Sequence, residues 1–210
     1  MIIHPTRTNL LLLKEKAFSV VNSVGILKAR RQALIREFLK TTVPFMRSRE
    51  DIRRTYGKAL DELRLSMGHE GRNTIRSVSA VTGRDIDIDI MEKRIWGLQY
   101  KEILLHHEPV RDPHKRGYDF LATTPHLEES AYLFERILEL MIELATYENK
   151  LKRLSDEILN ITRKMKVLEE RLLPDLRYQI KTIKQYIGER ERETYFRMKK
   201  FKELRPPAPR

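Results

Sequence analysis

The chain has 210 residues, with 42 Lys and Arg against 30 Asp and Glu, a formal net charge of +12, and no cysteine. The missing cysteines exclude a disulfide scaffold, a cysteine–zinc module and a thiol nucleophile. The longest wholly apolar run, Leu10 to Leu13, is far short of the ~20 residues that a membrane span needs. Charges interrupt the apolar residues of the first thirty positions, so they do not read as a signal peptide. With 34% charged residues, 8 Gly and 9 Pro, the composition favours long charged helices over a sheet sandwich.

The first part, residues 1–67, reads as one long helix from about Asn9, with Thr6, Thr8 or Asn9 available to cap it. Apolar residues fall at Leu10, Leu13, Ala17, Val20, Val24 and Leu27, then at Leu34, Phe38, Thr41 and Phe45. Steps of three and four alternate, which is the heptad period of a coiled coil. Beyond Phe45 the track loosens through Ile52, Tyr56, Leu60, Leu63 and Met67.

Residues 68–126 differ in composition. Gly68, Gly71, Gly83, Gly97, Gly117, Pro109, Pro113 and Pro125 interrupt any long helix. Strict alternation from Asp85 to Ile90 is a strand signature, and Arg94 to Tyr100 supplies a second extended stretch. A short hairpin or small sheet is expected, followed by loop from His106 to Thr124.

Residues 127–205 carry a second heptad track. It starts at Leu127, Ala131, Phe134, Leu138 and Met141, slips near Leu144, and resumes at Tyr147, Leu151, Leu154, Ile158, Ile161, Met165, Leu168 and Leu172. Leu176, Ile180, Ile183 and Ile187 extend it. At ~1.5 Å per residue the two helices are roughly 90 and 115 Å long, too long to be sheltered inside a globular domain. The expected fold is mainly α: an antiparallel two-helix coiled coil with a strand-containing insertion between its arms. Pro44 and Pro174 lie within the helices, and bends are expected at both. The Pro-rich residues 206–210 read as a disordered tail.

Candidate chemistry is sparse. His106, His107 and His114 lie near Glu108 and Asp112 without the spacing of a metal site, and read as surface histidines on a loop. Asp85, Asp87 and Asp89 project in a row from one strand face, which does not gather ligands about one centre. No Walker-A loop, GxGxxG or GxSxG occurs, so no catalytic residue, cofactor or metal is expected. The basic residues are interleaved with Glu, without the block of like charges of a nucleic-acid-binding arm. The richest basic stretch, Phe196 to Lys202, reads either as a solvated face or as a helix inserted into an acidic protein sleeve.

Several segments together resemble the D subunit of the V-type and A-type rotary ATPases and ATP synthases. They are Pro5-Thr6-Arg7 before the leucine-rich helix opening, Gly25 to Phe38 ending in Glu-Phe, and Thr162-Arg163-Lys164 with Val167-Leu168-Glu169. Leu173-Pro174-Asp175-Leu176, then Glu189 to Glu193, then Phe196-Arg197-Met198-Lys199, complete the set. The resemblance covers both helices. It implies a non-catalytic axle that passes torque between an ATP-hydrolysing or ATP-synthesising hexamer and an ion-translocating membrane ring. Implied partners are the catalytic and non-catalytic hexamer subunits, a small central-stalk protein, and the component joining the stalk to the ring. The implied location is the cytoplasmic side of the membrane, as a peripheral part of the complex. The basic end, with Arg190, Arg192, Arg197, Lys199, Lys200 and Lys202, is the expected hexamer contact. A coiled-coil tether and a basic nucleic-acid-associated helical protein are the alternative readings.

In an antiparallel pair, facing residue numbers sum to a near-constant value. Matching the two tracks selects a sum near 192, give or take a heptad, which sets Leu27 against Met165, Leu34 against Ile158 and Val20 against Leu172. A sum of 213 buries Glu189, Glu193, Lys200 and Glu203 against apolar residues and is disfavoured. The chosen register leaves residues from Gly188 to about Leu204 as a single charged helix.

Overall fold

The computed structural model describes residues 5–119 and 123–203. The elements in order are α1 (Arg7–Glu70), α2 (Arg72–Val81), β1 (Ile88–Ile95), β2 (Leu98–Leu105), a short 3-10 turn (Pro113–Lys115), α3 (Pro125–Val167), a π turn (Leu168–Leu172) and α4 (Leu173–Glu203). The fold is mainly α with one two-stranded antiparallel sheet. The tail at 206–210 lies outside the described residues.

Thr6 caps α1: its hydroxyl accepts from the Asn9 N–H at 3.2 Å, and its carbonyl from the Leu10 N–H at 3.0 Å. The helix passes Gly57 and Gly68 and ends at Gly71, whose φ of 82° is open to glycine and whose N–H returns to the Met67 carbonyl at 3.2 Å. Pro44 lies inside it without interrupting it. Pro174 has a different outcome. The chain widens into the π turn just before it, and the Leu173 N–H donates to the Leu168 carbonyl five residues back. A proline ring clashes with the carbonyl four residues before it, and a wider turn relieves that crowding.

One compact unit combines the chain up to Gln32 with the chain from Leu159 onward. Its seam is apolar and antiparallel. Leu13, Leu176 and Ile183 form a buried cluster, flanked by half-buried Leu10, Ala17, Val20, Ile180 and Ile187. Val24, Ile161 and Met165 are buried, and Leu27 and Leu168 half-buried. Lys28 pairs with Glu169 at 2.6 Å. The seam assignment of Leu172 needs correction. It is 39% exposed, because the π turn adds a residue to one turn and passes the inward position to half-buried Leu173.

The second unit is Ala33–Ile158. Leu34 and Leu154 are fully buried, with Phe38, Leu151 and Ile158 half-buried. Thr41, Ser48, Ala59 and Ser66 are the other buried residues of α1 in this unit, all small. Glu37 pairs with Lys150 at 2.7 Å, Tyr56 meets Phe134 edge-on with ring centres 6.3 Å apart, and Glu62 pairs with His126 at 2.7 Å. These contacts make α1 and α3 antiparallel.

β1 and β2 form a hairpin from Ile88↔Leu105 to Ile95↔Leu98. Its two turn residues, Trp96 and Gly97, have φ of 51° and 79°, as a tight two-residue hairpin turn demands. Asp85 and Asp87, expected within the strand, precede it, because no residue of β2 pairs beyond Ile88.

Candidate functional site

In the first unit, α4 runs on to Glu203 as a basic helix. Its described residues from Arg192 to Glu203 are all exposed, including the expected contact residues Arg192, Arg197, Lys199, Lys200 and Lys202. Arg190 is exposed too, with its guanidinium over the Tyr186 ring, 5.6 Å from the centre. Aromatic and apolar side chains share this surface: Tyr195, Phe196, Met198 and Phe201 are each more than half exposed. Arg197 and Glu193 are 3.9 Å apart along the helix. The segment therefore presents cations beside exposed aromatic and apolar groups.

Among the described residues, contacts between the start of α1 and α4 extend past Gly188. Arg7 ion-pairs with Glu191, and Gly188 is half-buried. The reason is local. With Thr6 as its cap, α1 starts at Arg7, two residues before Asn9, and the long Arg7 side chain reaches a further turn along α4. The Glu191 carboxylate raises the Arg7 pKa through a hydrogen bond.

In the second unit, the loop after the hairpin is fastened to α3 by a cluster of charges. Arg116 is 3% exposed and bonds to the Glu128 carboxylate, the Glu128 carbonyl at 3.1 Å and Glu135 at 3.3 Å. Arg111 donates from Nε to Glu135 Oε1 at 2.7 Å and from its backbone N–H to Glu135 Oε2 at 2.9 Å. Its Nη1 donates to the Thr82 carbonyl at the end of α2, at 3.1 Å. Tyr118 lies in the same cluster. Burial first, and the Glu128 carboxylate second, push its phenol up to about 12. A buried cation facing two carboxylates is costly to break, so this is an anchor. The sequence reading missed both the cluster and α2. The available signal was Glu128 and Glu135, one heptad apart and adjacent to Leu127 and Phe134 on an inward-facing track.

The hairpin rests on α3 through β2. The N–H groups of Lys101 and Ile103 donate to Asn149 Oδ1 at 3.3 Å and Thr146 Oγ1 at 3.2 Å, and Lys150 Nζ lies 5.7 Å from the centre of the buried Tyr100 ring. Trp96 stands at the turn, 65% exposed. His106 pairs with Asp89 at 2.7 Å, while His107, Glu108, Asp112 and His114 are exposed. Among the described residues no group of three His, Asp or Glu is placed to hold a metal ion, and no helix is long and apolar enough to cross a membrane.

Residues 9–203 match the family of ATP synthase D subunits. The A-type ATP synthase D subunit of Pyrococcus furiosus is 33% identical over 202 residues, covering 96% of this chain and 94% of its own. That of Methanoregula boonei is 34% identical over 200 residues, covering 95% of each. That of Haloarcula marismortui is 30% identical over 201 residues, covering 95% of this chain and 86% of its own. The match takes in both helix arms and the hairpin alike, and on that extent the chain belongs to the family of ATP synthase D subunits.

Proposed function

We propose that the chain is the central rotor stalk of an A/V-type ATP synthase, passing torque between the nucleotide-processing hexamer and the ion-translocating ring. The observation that carries this reading is the exposed basic helix from Arg192 to Glu203, joined to a paired, apolar-seamed shaft. A shaft that transmits torque needs wound helices for stiffness and needs no catalytic group. Its end should also bind a surrounding sleeve without sticking at one angle. Exposed ion pairs are worth only ~0–1 kcal/mol each, so Arg190, Arg192, Arg197, Lys199, Lys200 and Lys202 suit that requirement better than one large apolar patch. The working location is the cytoplasmic face of the membrane, as a peripheral component.

A second surface fits the small central-stalk partner. Ile35, Leu39, Val43 and Met46 form an exposed apolar stripe at helical spacing on the outer face of α1. The test is co-purification of the tagged full-length chain. It should bring down a small stalk protein and an ATP-hydrolysing hexamer, and Leu39→Glu should lose the small protein while helix content is unchanged. Recovery of nucleic acid with a steep salt dependence, and no hexamer, would refute the reading.

A further inference from the structure

At one level of the first unit, both arms carry an interruption of regular helix. On α1, Gly25 lies mid-helix and exposed, and a Cβ added there would meet nothing within 4 Å. Packing within the chain therefore does not require a glycine, which weakens a helix interior relative to alanine. Two residues earlier the Ser23 hydroxyl donates to the Ser19 carbonyl at 2.9 Å, a bond that bends helices. On the opposite arm, the π turn Leu168–Leu172 and then Pro174 replace the regular ladder. Two contacts set these features at one height. Glu169, inside the π turn, pairs with Lys28, about one turn beyond Gly25. Val20 packs against the cluster that contains Leu176.

Glycine and serine, proline and π turns are the features at which helices bend. The seam is also thin at this height. No residue of the π turn is buried, and between Leu13 and Val24 α1 offers only half-buried Ala17 and Val20. Other interruptions have no such counterpart. Pro44, Gly57 and Gly68 lie on α1 in the second unit, where α3 runs without a break from Pro125 to Val167. We propose that residues 20–28 and 168–173 form one joint, which opens as a unit while the seam on either side stays closed. In such a unit the two arms share a single opening equilibrium, so a change made on one arm is felt on the other. Bending of the paired helices is thereby concentrated at this height. The joint belongs to the unassembled chain; it goes beyond the torque reading and does not depend on it.

Amide hydrogen exchange on the full-length chain tests this, under conditions where the rate reports the opening equilibrium. Residues 20–28 and 168–173 should exchange roughly tenfold faster than residues 161–165 and 176–183. Gly25→Ala has room for its added methyl group and should not disturb the packing. It should slow exchange at 20–28 by about two- to fivefold, and at 168–173 by the same factor, because alanine strengthens the helix and the opening is shared. Residues 176–183 should be unchanged. A purely local gain in helix strength would stop at 20–28. Pro174→Ala, which removes the ring that crowds the π turn, should reciprocally slow both stretches. The proposal is overturned by equal protection along both arms, or by either substitution slowing exchange on its own arm alone or on neither arm.

Discussion

The seam of the first unit and that of the second share one spacing but not one chemistry. In the first, buried Leu13, Val24, Ile161, Met165, Leu176 and Ile183 close the seam with branched and long apolar side chains. In the second, α1 contributes Leu34 and then Thr41, Ser48, Ala59 and Ser66. Each fully buried Leu or Ile contributes about 1.5–3 kcal/mol from burial, whereas Ser contributes little and must place its hydroxyl. Thr41 returns its hydroxyl to the Glu37 carbonyl at 2.9 Å, but the Ser66 hydroxyl is buried with no partner among the described residues. On the α3 side Leu127, Ile137 and Leu154 are buried, so the apolar part of this seam comes mainly from one helix, and discrete contacts pin the pair: Glu37–Lys150, Tyr56–Phe134, Glu62–His126 and the Arg116 cluster. Regular spacing therefore specifies that two helices pair, while the side chains at those positions decide whether the pairing is continuous or pinned at points.

This difference is open to attack by substitution. The largest effect is expected at the strongest pin. Arg116→Met leaves Glu128 and part of Glu135 buried without their cation, and should cost about 3–5 kcal/mol in urea unfolding. In the first unit Leu176→Ala should cost about 2–5 kcal/mol, from lost burial and the cavity left behind. Thr41→Val and Ser66→Ala at equivalent seam positions of the second unit should change stability by less than about 1 kcal/mol, with Ser66→Ala neutral or stabilising. Equal costs for Leu176→Ala and Thr41→Val would erase the distinction. A separate effect appears only at alkaline pH. The Tyr118 pKa is raised to about 12 from an ordinary 10, so the unfolded chain loses this proton first. The contribution is complete below pH 10 and falls as pH rises from 10 toward 12. Tyr118→Phe should flatten that decline in a pH series of thermal unfolding, leaving the neutral-pH slope unchanged.

Register can be sharpened in the same way. Leu27→Cys with Met165→Cys should crosslink in the first unit, and Leu27→Cys with Tyr186→Cys should not. Efficient linking only to position 186 would contradict the packing of Leu13 on Leu176 and Ile183.

Much of this architecture was legible in the residues. Both helix arms follow from sustained three-and-four spacing, and the hairpin from alternation around Ile88 and Ile90. Its turn was only half legible: Gly97 suits a left-handed turn, whereas Trp96 beside it gives no such sign. Helix α2 was hidden because its ten residues lie between Gly71 and Gly83, which read as helix breakers, although Ile75, Val78 and Val81 fall at helical spacing. The exposure of Leu172 was hidden because a heptad count assumes uniform turns, and Pro174 breaks that assumption one turn earlier. For the Arg116 cluster, the heptad spacing of Glu128 and Glu135 marks the acceptors on α3, but the loop that folds back to supply Arg111 and Arg116 is a long-range event that spacing does not encode. The basic end was legible as composition, whereas the reach of the Arg7 side chain to Glu191 was not.

We propose that the exposed basic end of α4 engages the hexamer. The most direct test is the quadruple variant Arg197→Glu, Lys199→Glu, Lys200→Glu and Lys202→Glu, assembled with the remaining subunits. Circular dichroism should be unchanged, since these are surface positions. Association with the hexamer, or the coupling of ATP turnover to ion transport, should fall sharply. Normal assembly together with normal coupled transport in this variant would contradict the placement of this end in the hexamer.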